Sequence, residues 1–268
     1  MNPKKAIKRA RYAIRQADNA LKAAASALRT PTPGEETVSE KPDFLAKTFT
    51  VPAATFDGLA DAAAALRQCG PRAFKHGDEI EVMHQLGRLR FVVIGIDRDK
   101  SADREHTLTL LLTSIVLGSA FDVPSLDKPW GRNSWHLSSI RALLNGEFLD
   151  GFTEADRQAM TPTQHRTYSF TEREYIHTHD KVFLLSASEA GFEVDGETIM
   201  DEGDAYPYFN AGNESRQLLD ANGTARYWWL RSPYPWNGSH VRNVTPSGAL
   251  NDINAYNGYA VAAVCVIG

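Results

Sequence analysis

The stretch from Tyr227 to Gly268 constrains this chain more than any other. It opens on an aromatic block, Tyr227-Trp228-Trp229-Leu230-Arg231-Ser232-Pro233, and closes on an aliphatic one, Ala260-Val261-Ala262-Ala263-Val264-Cys265-Val266-Ile267. Both blocks demand burial. Between them runs a segment built mostly from Asn, Asp, Ser, His, Tyr, Thr and Gly, with little that a hydrophobic core would accept. The layout is that of a surface held up by a scaffold. Tyr and Asn in such a surface give contact area and adaptable hydrogen bonding at small entropic cost. A catalytic site would instead gather a few convergent titratable groups. The candidate contact residues are Tyr234, Trp236, Asn237, Ser239, His240, Thr245, Asn251, Asp252, Ile253, Asn254, Tyr256, Asn257 and Tyr259. They are expected to share one exposed face, with Trp236, Tyr256 and Tyr259 as its energetic anchors. The polar neighbours of Ile253 argue against a core position for it. Trp228 and Trp229 alternate faces on a strand, so one ring should enter the core and the other rest on a neighbouring loop. Arg231 either orients the tail loops through backbone carbonyls or makes an ordinary surface pair.

The 268 residues suffice for one sizeable domain with an accessory segment, or for two small domains. Hydrophobic content of 43% and charged content of 23% are those of a soluble globular chain. A net charge of -4 argues against nucleic acid as the default partner. The start, Met1-Asn2-Pro3-Lys4-Lys5, carries positive charge with no apolar h-region behind it, so no signal peptide is expected. No run approaches the roughly twenty apolar residues that span a bilayer. Synthesis in a cytoplasm and no membrane insertion are the expectations, with virion or surface association left open. Cys69 and Cys265 are too few for a disulfide framework or a metal cluster.

Residues 4–29 predict a helix, dense in Ala, free of Gly and closed by Pro31 and Pro33. Ile7, Ile14, Leu21 and Leu28 recur every seven residues, with Ala10, Ala17 and Ala24 between them. This is an a/d seam about three heptads long, on an otherwise basic surface. It points to a homo-oligomer or docking helix, or equally to an amphipathic helix packed on its own domain. Residues 31–43 read as a linker, and 44–76 as a mixed connecting segment, extended over Phe44–Val51 and helical over Phe56–Cys69. A compact domain is expected to begin near Gly77. Its strands fall at Glu79–His84 and Arg88–Ile96 (a hairpin turning near Leu86-Gly87), Thr107–Leu117, Lys181–Leu185, Arg226–Arg231 and Val261–Ile267. Ser138–Asn145 and Thr153–Met160 predict short helices, the second opening on Thr153-x-x-Asp156 as a capping box. Strands on either side of a helical middle give an α+β class.

Three segments carry a family resemblance. Ser139-Ile140-Arg141-Ala142-Leu143-Leu144-Asn145-Gly146-Glu147-Phe148, Asp180-Lys181-Val182-Phe183-Leu184-Leu185-Ser186 and Tyr227-Trp228-Trp229-Leu230-Arg231-Ser232-Pro233 occur in that order. Together they resemble a bacterial and phage family of C-type-lectin-like domains, some of whose members are the variable proteins of diversity-generating retroelements. The resemblance covers about Gly77–Gly268 and implies a lectin-like fold with a variable region at about residues 232–260. In such systems an error-prone reverse transcriptase randomises template adenines. Randomising both adenines of the Asn codon AAC yields fifteen residue types, never Lys, Glu, Gln or Met and never a stop. From Ser232 to Gly268 none of those four residues occurs. Trp236 is the exception, because Trp cannot arise from AAC. A plain Asn-rich segment of turns would share this composition.

Rival chemistries are weaker. His177-Thr178-His179-Asp180 puts two His on one side of a strand, yet no third ligand at metal spacing accompanies them. The acidic groups Asp97, Asp99, Asp103 and Asp201-Glu202-Gly203-Asp204 offer oxygen ligands for a structural calcium but match no EF-hand. The calcium-sugar motifs of classical C-type lectins are absent. An oxidase-like enzyme of the sulfatase-activating kind would need paired cysteines, and Cys265 lies in an apolar run. The expectation is therefore a non-catalytic binding protein without a cofactor, whose ligand is a protein or a cell-surface group. A fixed-specificity carbohydrate- or protein-binding module of the same fold is the alternative.

Overall fold

A computed structural model describes Phe56 and residues 58–268. The heptad helix at 1–30, the linker at 31–43 and the extended segment Phe44–Val51 lie outside the described residues. The first described helix, α1 (Leu59–Cys69), buries Leu59, Ala62, Ala63 and Leu66, the i, i+3, i+4, i+7 stripe of an amphipathic helix. Gly70, at φ 74°, closes it by donating to the Leu66 carbonyl. These four side chains belong to the main core. Residues 59–69 are thus part of the domain, which corrects the expectation that it begins near Gly77.

The strands in chain order are β1 (Glu79–His84), β2 (Gly87–Ile96), β3 (Leu108–Leu112), β4 (Gly118–Ala120), β5 (Thr163–Ser169), β6 (Glu174–Asp180) and β7 (Val182–Phe183). There follow β8 (Leu218–Leu219), β9 (Ala225–Arg226), β10 (Trp228–Pro233), β11 (His240–Val244), β12 (Leu250–Asn254), β13 (Gly258–Ala260) and β14 (Val264–Ile267). Two further α-helices, α2 (Ser139–Leu143) and α3 (Glu154–Ala159), fill the middle. The Thr153 hydroxyl caps α3, accepting from the Asp156 amide at 3.2 Å and donating to its carboxylate at 2.7 Å. The class is α+β.

One five-stranded sheet runs β1-β2-β3-β14-β7, antiparallel throughout. The aliphatic C-terminal block forms β14, held between β3 and β7, with Val264, Val266 and Ile267 wholly enclosed. A second sheet runs β12-β11-β10-β13-β4, with only the β10–β13 pair parallel. The polar run between the two apolar blocks supplies strands β11 and β12 and the start of β13 to this sheet. The strand signal lies in His240-Val241-Arg242-Asn243-Val244, where Val241 and Val244 are fully buried. The hairpin β5–β6, paired residue for residue from Thr163↔Asp180 to Ser169↔Glu174, has no counterpart among the strands expected from sequence. Its polar residues hide the strand signal, because Tyr, Thr and His fill places where an apolar pattern would be sought.

Candidate functional site

Strand β10 is the spine of the site. All six of its residues are buried. Trp228 and Trp229 point to opposite faces, and both are 0% exposed. The expectation of one core ring and one peripheral ring fails because this sheet is covered on both sides. Trp228 donates its indole N–H to the Arg216 carbonyl at 2.8 Å, and Trp229 donates to that of Ser119 at 2.9 Å. Trp229 also meets Phe121 edge-on, with ring centroids 5.8 Å apart.

Arg231 is neither a surface pair nor a tail-loop organiser. It is fully buried and grips Glu189 bidentately, with Nη2 donating to Oε1 at 2.7 Å and Nη1 to Oε2. Its other bonds reach the carbonyls of Leu184 (2.8 Å) and Glu202 (3.1 Å) and the Thr167 hydroxyl (3.2 Å). One guanidinium thereby ties β5 to the segments after β7 and around residue 202. Burial works against its charge, but Glu189, together with Glu202 and Tyr206, outweighs that effect, so Arg231 holds its proton more tightly than usual. Beside it the Ser232 hydroxyl donates to Glu202 and accepts from the Ala187 amide.

The structure separates the predicted contact residues into several places. Trp236, 68% exposed, and Asn237 are open to solvent. Tyr234, Ser239, His240, Thr245, Asn251, Asp252, Ile253, Tyr256, Asn257 and Tyr259 are half-buried. Asn254 is buried, a correction. It ends β12, where the Ser239 hydroxyl bonds its side chain at 3.3 Å and the Asn257 amide group bonds its carbonyl at 3.0 Å. Ile253 is also corrected, since it packs against the core cluster despite its polar neighbours. The strand pleat explains this. His240, Arg242, Asp252 and Asn254 lie on one side of the β11–β12 hairpin, and Val241, Asn243, Asn251 and Ile253 on the other. The candidates do not share one face.

What the fold does bring together is a polar-aromatic patch. Tyr234 and Trp236 meet edge-on at 5.4 Å. His240 pairs with Asp252 at 2.8 Å, and the Arg242 guanidinium sits 4.9 Å over the Tyr234 ring. Arg242, which sequence reasoning passed over, also donates to the Thr198 carbonyl at 2.9 Å. Asn237 and Ser239 border a neighbouring cavity of about 470 Å³, with Trp130, Arg132, Tyr168 and Ile176 on its walls. Asn133 latches the turn between patch and cavity, donating to the carbonyls of Tyr234 (3.2 Å) and Asn237 (3.1 Å). Tyr256 lies against Trp130 at 5.6 Å. Tyr259 stacks on Tyr227 at 5.0 Å, away from the patch residues in the sheet. Thr245 bonds the Ser247 hydroxyl in the β11–β12 turn.

A larger cavity of about 640 Å³ lies between the β2–β3 connection, the β5–β6 hairpin and residues 189–207. It unites Asp97 and Asp99 with Glu202 and Asp204, two acidic groups that are far apart in sequence. Asp99 accepts from the hydroxyls of Thr109 and Tyr206, the latter at 2.8 Å. Burial raises the Asp99 carboxyl above its usual range and pushes Glu202 up to about 7. His165, also on the wall, is driven well below the usual imidazole range by burial and by Arg231. Among the described residues no three His, Cys, Asp or Glu are arranged to hold a metal ion. His177 and His179 do face one side of β6, both exposed. Cys69 and Cys265 are free thiols, and burial raises that of Cys265.

The fold and these sites define an α+β domain with two polar concavities flanking a wholly buried Trp-Trp-Leu-Arg-Ser-Pro strand. The chain belongs to the family described as Domain of unknown function (DUF6273), matched over residues 107–267. No curated protein and no solved structure matches it. Among the described residues no helix is long and apolar enough to cross a membrane.

Proposed function

We propose that this is a non-catalytic ligand-binding protein, built as a C-type-lectin-like domain, whose C-terminal surface is diversified as in the variable proteins of diversity-generating retroelements. The observation that carries the reading is the patch of Tyr234, Trp236, His240, Arg242 and Asp252, raised directly on the buried strand β10. A rigid strand pinned by Arg231 and two indole hydrogen bonds can tolerate change in the residues it presents. The Asn-rich codon logic of Ser232–Gly268 fits such a source of change. The partner is a protein or a cell-surface group, and an aromatic pair with a nearby His–Asp–Arg cluster suits a polar macromolecular surface.

Sequencing the gene and its flanking DNA across a population tests this. The expected result is a nearby reverse transcriptase gene and a near-identical repeat of the 3′ end. Substitutions should concentrate at Tyr234, Asn237, Ser239, His240 and Asp252 and spare Trp228, Trp229 and Arg231. A tail as constant as the rest of the domain, with no repeat, would leave the fixed-specificity module in its place.

A further inference from the structure

The 640 Å³ cavity lies on walls that the tail surface does not use, and its chemistry is specific enough to name a ligand class. We propose that it is a second binding site, one that takes a small organic cation bearing a guanidinium or primary amine. Its walls carry a surplus of negative charge. Carboxylates of Asp97, Asp99, Glu189, Glu202 and Asp204 face guanidinium groups of Arg98 and Arg166 only. Internal pairs dispose of most of them. Arg231 neutralises Glu189 from behind, Arg98 pairs with Asp204 at 3.3 Å, and Asp97 is hydrogen-bonded by the His106 ring at 3.0 Å and the Thr107 amide at 2.9 Å. Arg166 is drawn off to Asp201 at 2.8 Å.

Asp99 and Glu202 remain. Among the described residues their carboxyl oxygens accept hydrogen bonds only from neutral donors: hydroxyls of Thr109 and Tyr206 for the first, the Ser232 hydroxyl and the Tyr168 amide for the second. Both donors to Asp99 converge on Oδ2, which leaves Oδ1 as the acceptor for an incoming group. Burial makes both carboxyls costly to ionise, by more than Arg98 near Asp99 and Arg231 near Glu202 relieve, and the raised proton affinity of both groups reflects that cost. An entering cation relieves it.

The protein also displays the binding mode with one of its own side chains. The Arg98 guanidinium lies over the Tyr206 ring, 5.4 Å from its centroid, while the Tyr206 hydroxyl holds Asp99. An aromatic face beside a carboxylate is the arrangement that recognises amines and guanidines. An anionic ligand would meet the surplus of carboxylates. An apolar one would strand buried polar groups of the wall without partners.

Isothermal titration of the full-length protein at about pH 8 with agmatine tests the site, with 1,4-butanediol and succinate as neutral and anionic controls. Saturable one-to-one binding of agmatine alone is expected. Asp99→Asn keeps an acceptor for Thr109 and Tyr206 and should weaken it about tenfold or more. Gln164→Arg places a cation on the wall from an exposed strand position, where folding is not at stake, and should weaken it similarly. Trp236→Ala should leave it unchanged. The proposal is overturned if agmatine fails to saturate below about 10 mM, or if butanediol binds as well. It is also overturned if both cavity variants bind like the native chain, or if Trp236→Ala abolishes the binding. The last outcome would move the amine to the tail patch; the others do not bear on the reading of the tail.

Discussion

Replacing Glu202 by Gln should change how the stability of this domain depends on pH. Glu202 is 3% exposed. Burial is the largest influence on its carboxyl and raises it from 4.5 to about 7. Arg231, the Ser232 hydroxyl and the Tyr168 amide pull it down, and Glu189 adds to the rise. At about 1.4 kcal/mol per unit, the difference of some 2.5 units amounts to roughly 3 kcal/mol. The sign follows from proton linkage. The folded chain binds this proton more tightly than the unfolded chain does. The contribution is therefore fully present below about pH 4.5 and lost as the pH rises through 7. The glutamine side chain carries no such proton. Its amide oxygen can accept from Tyr168, and its amide nitrogen can donate to Ser232 once that hydroxyl rotates.

Urea denaturation of both proteins at intervals between pH 4.5 and 8.5 gives the measurement. The stability of Glu202→Gln relative to the native chain should climb by roughly 3 kcal/mol across that window. Asp99, also raised, adds a loss with rising pH, while His165, depressed, adds a loss as pH falls below 6.5. Both occur in each protein and cancel in the difference. Parallel curves with a constant offset would show that Glu202 ionises as an ordinary carboxylate, and the burial argument would be wrong.

Arg231→Met should cost about 3–5 kcal/mol in a denaturant melt, because Glu189 is left buried and unpaired; adding Glu189→Gln should recover part of it, and no recovery would refute the pairing argument. Trp228→Ala and Trp229→Ala should each cost about 3–5 kcal/mol, whereas Trp236→Ala should fall within roughly 0.5 kcal/mol; an unequal pair would mean that one sheet face is less covered than its 0% exposure implies. Asn243 is fully buried, with neither atom of its amide hydrogen-bonded, so Asn243→Leu should be neutral or stabilising by about 1 kcal/mol. A loss above about 2 kcal/mol in the same melts would assign that amide a use the contacts do not show.

Sequence alone reaches the parts of this fold that rest on apolar periodicity or local chemistry. The hairpin of β1 and β2, the Thr153 cap and the closing strand Val264–Ile267 all follow from signals within a few residues. The hairpins β5–β6 and β11–β12 do not, because their buried positions are held by Thr, His, Arg and Asn as well as Val. The large cavity is out of reach for a different reason. Asp99, Glu189 and Glu202 lie far apart in the chain, and only the Arg231 network and the hydroxyls of Tyr206 and Thr109 place them together. Long-range electrostatic assembly leaves no local pattern to read.

The pleat of β11 and β12 limits what a diversified tail can mean here. Codon composition treats every Asn-like position from Ser232 onward as equal, but the strands do not. On the underside, Val241, Asn243 and Ile253 pack toward the core, so random change there would alter stability before it altered binding. On the other side, His240 and Asp252 keep part of their surface while Arg242 is fixed by Thr198 and Tyr234. Under the proposed reading, useful variation would be confined to the Tyr234–Ser239 turn and alternate strand positions beside it. Under the proposed reading, Asn243 would be a position where codon history and burial conflict, for it is fully buried and its amide has no hydrogen-bond partner.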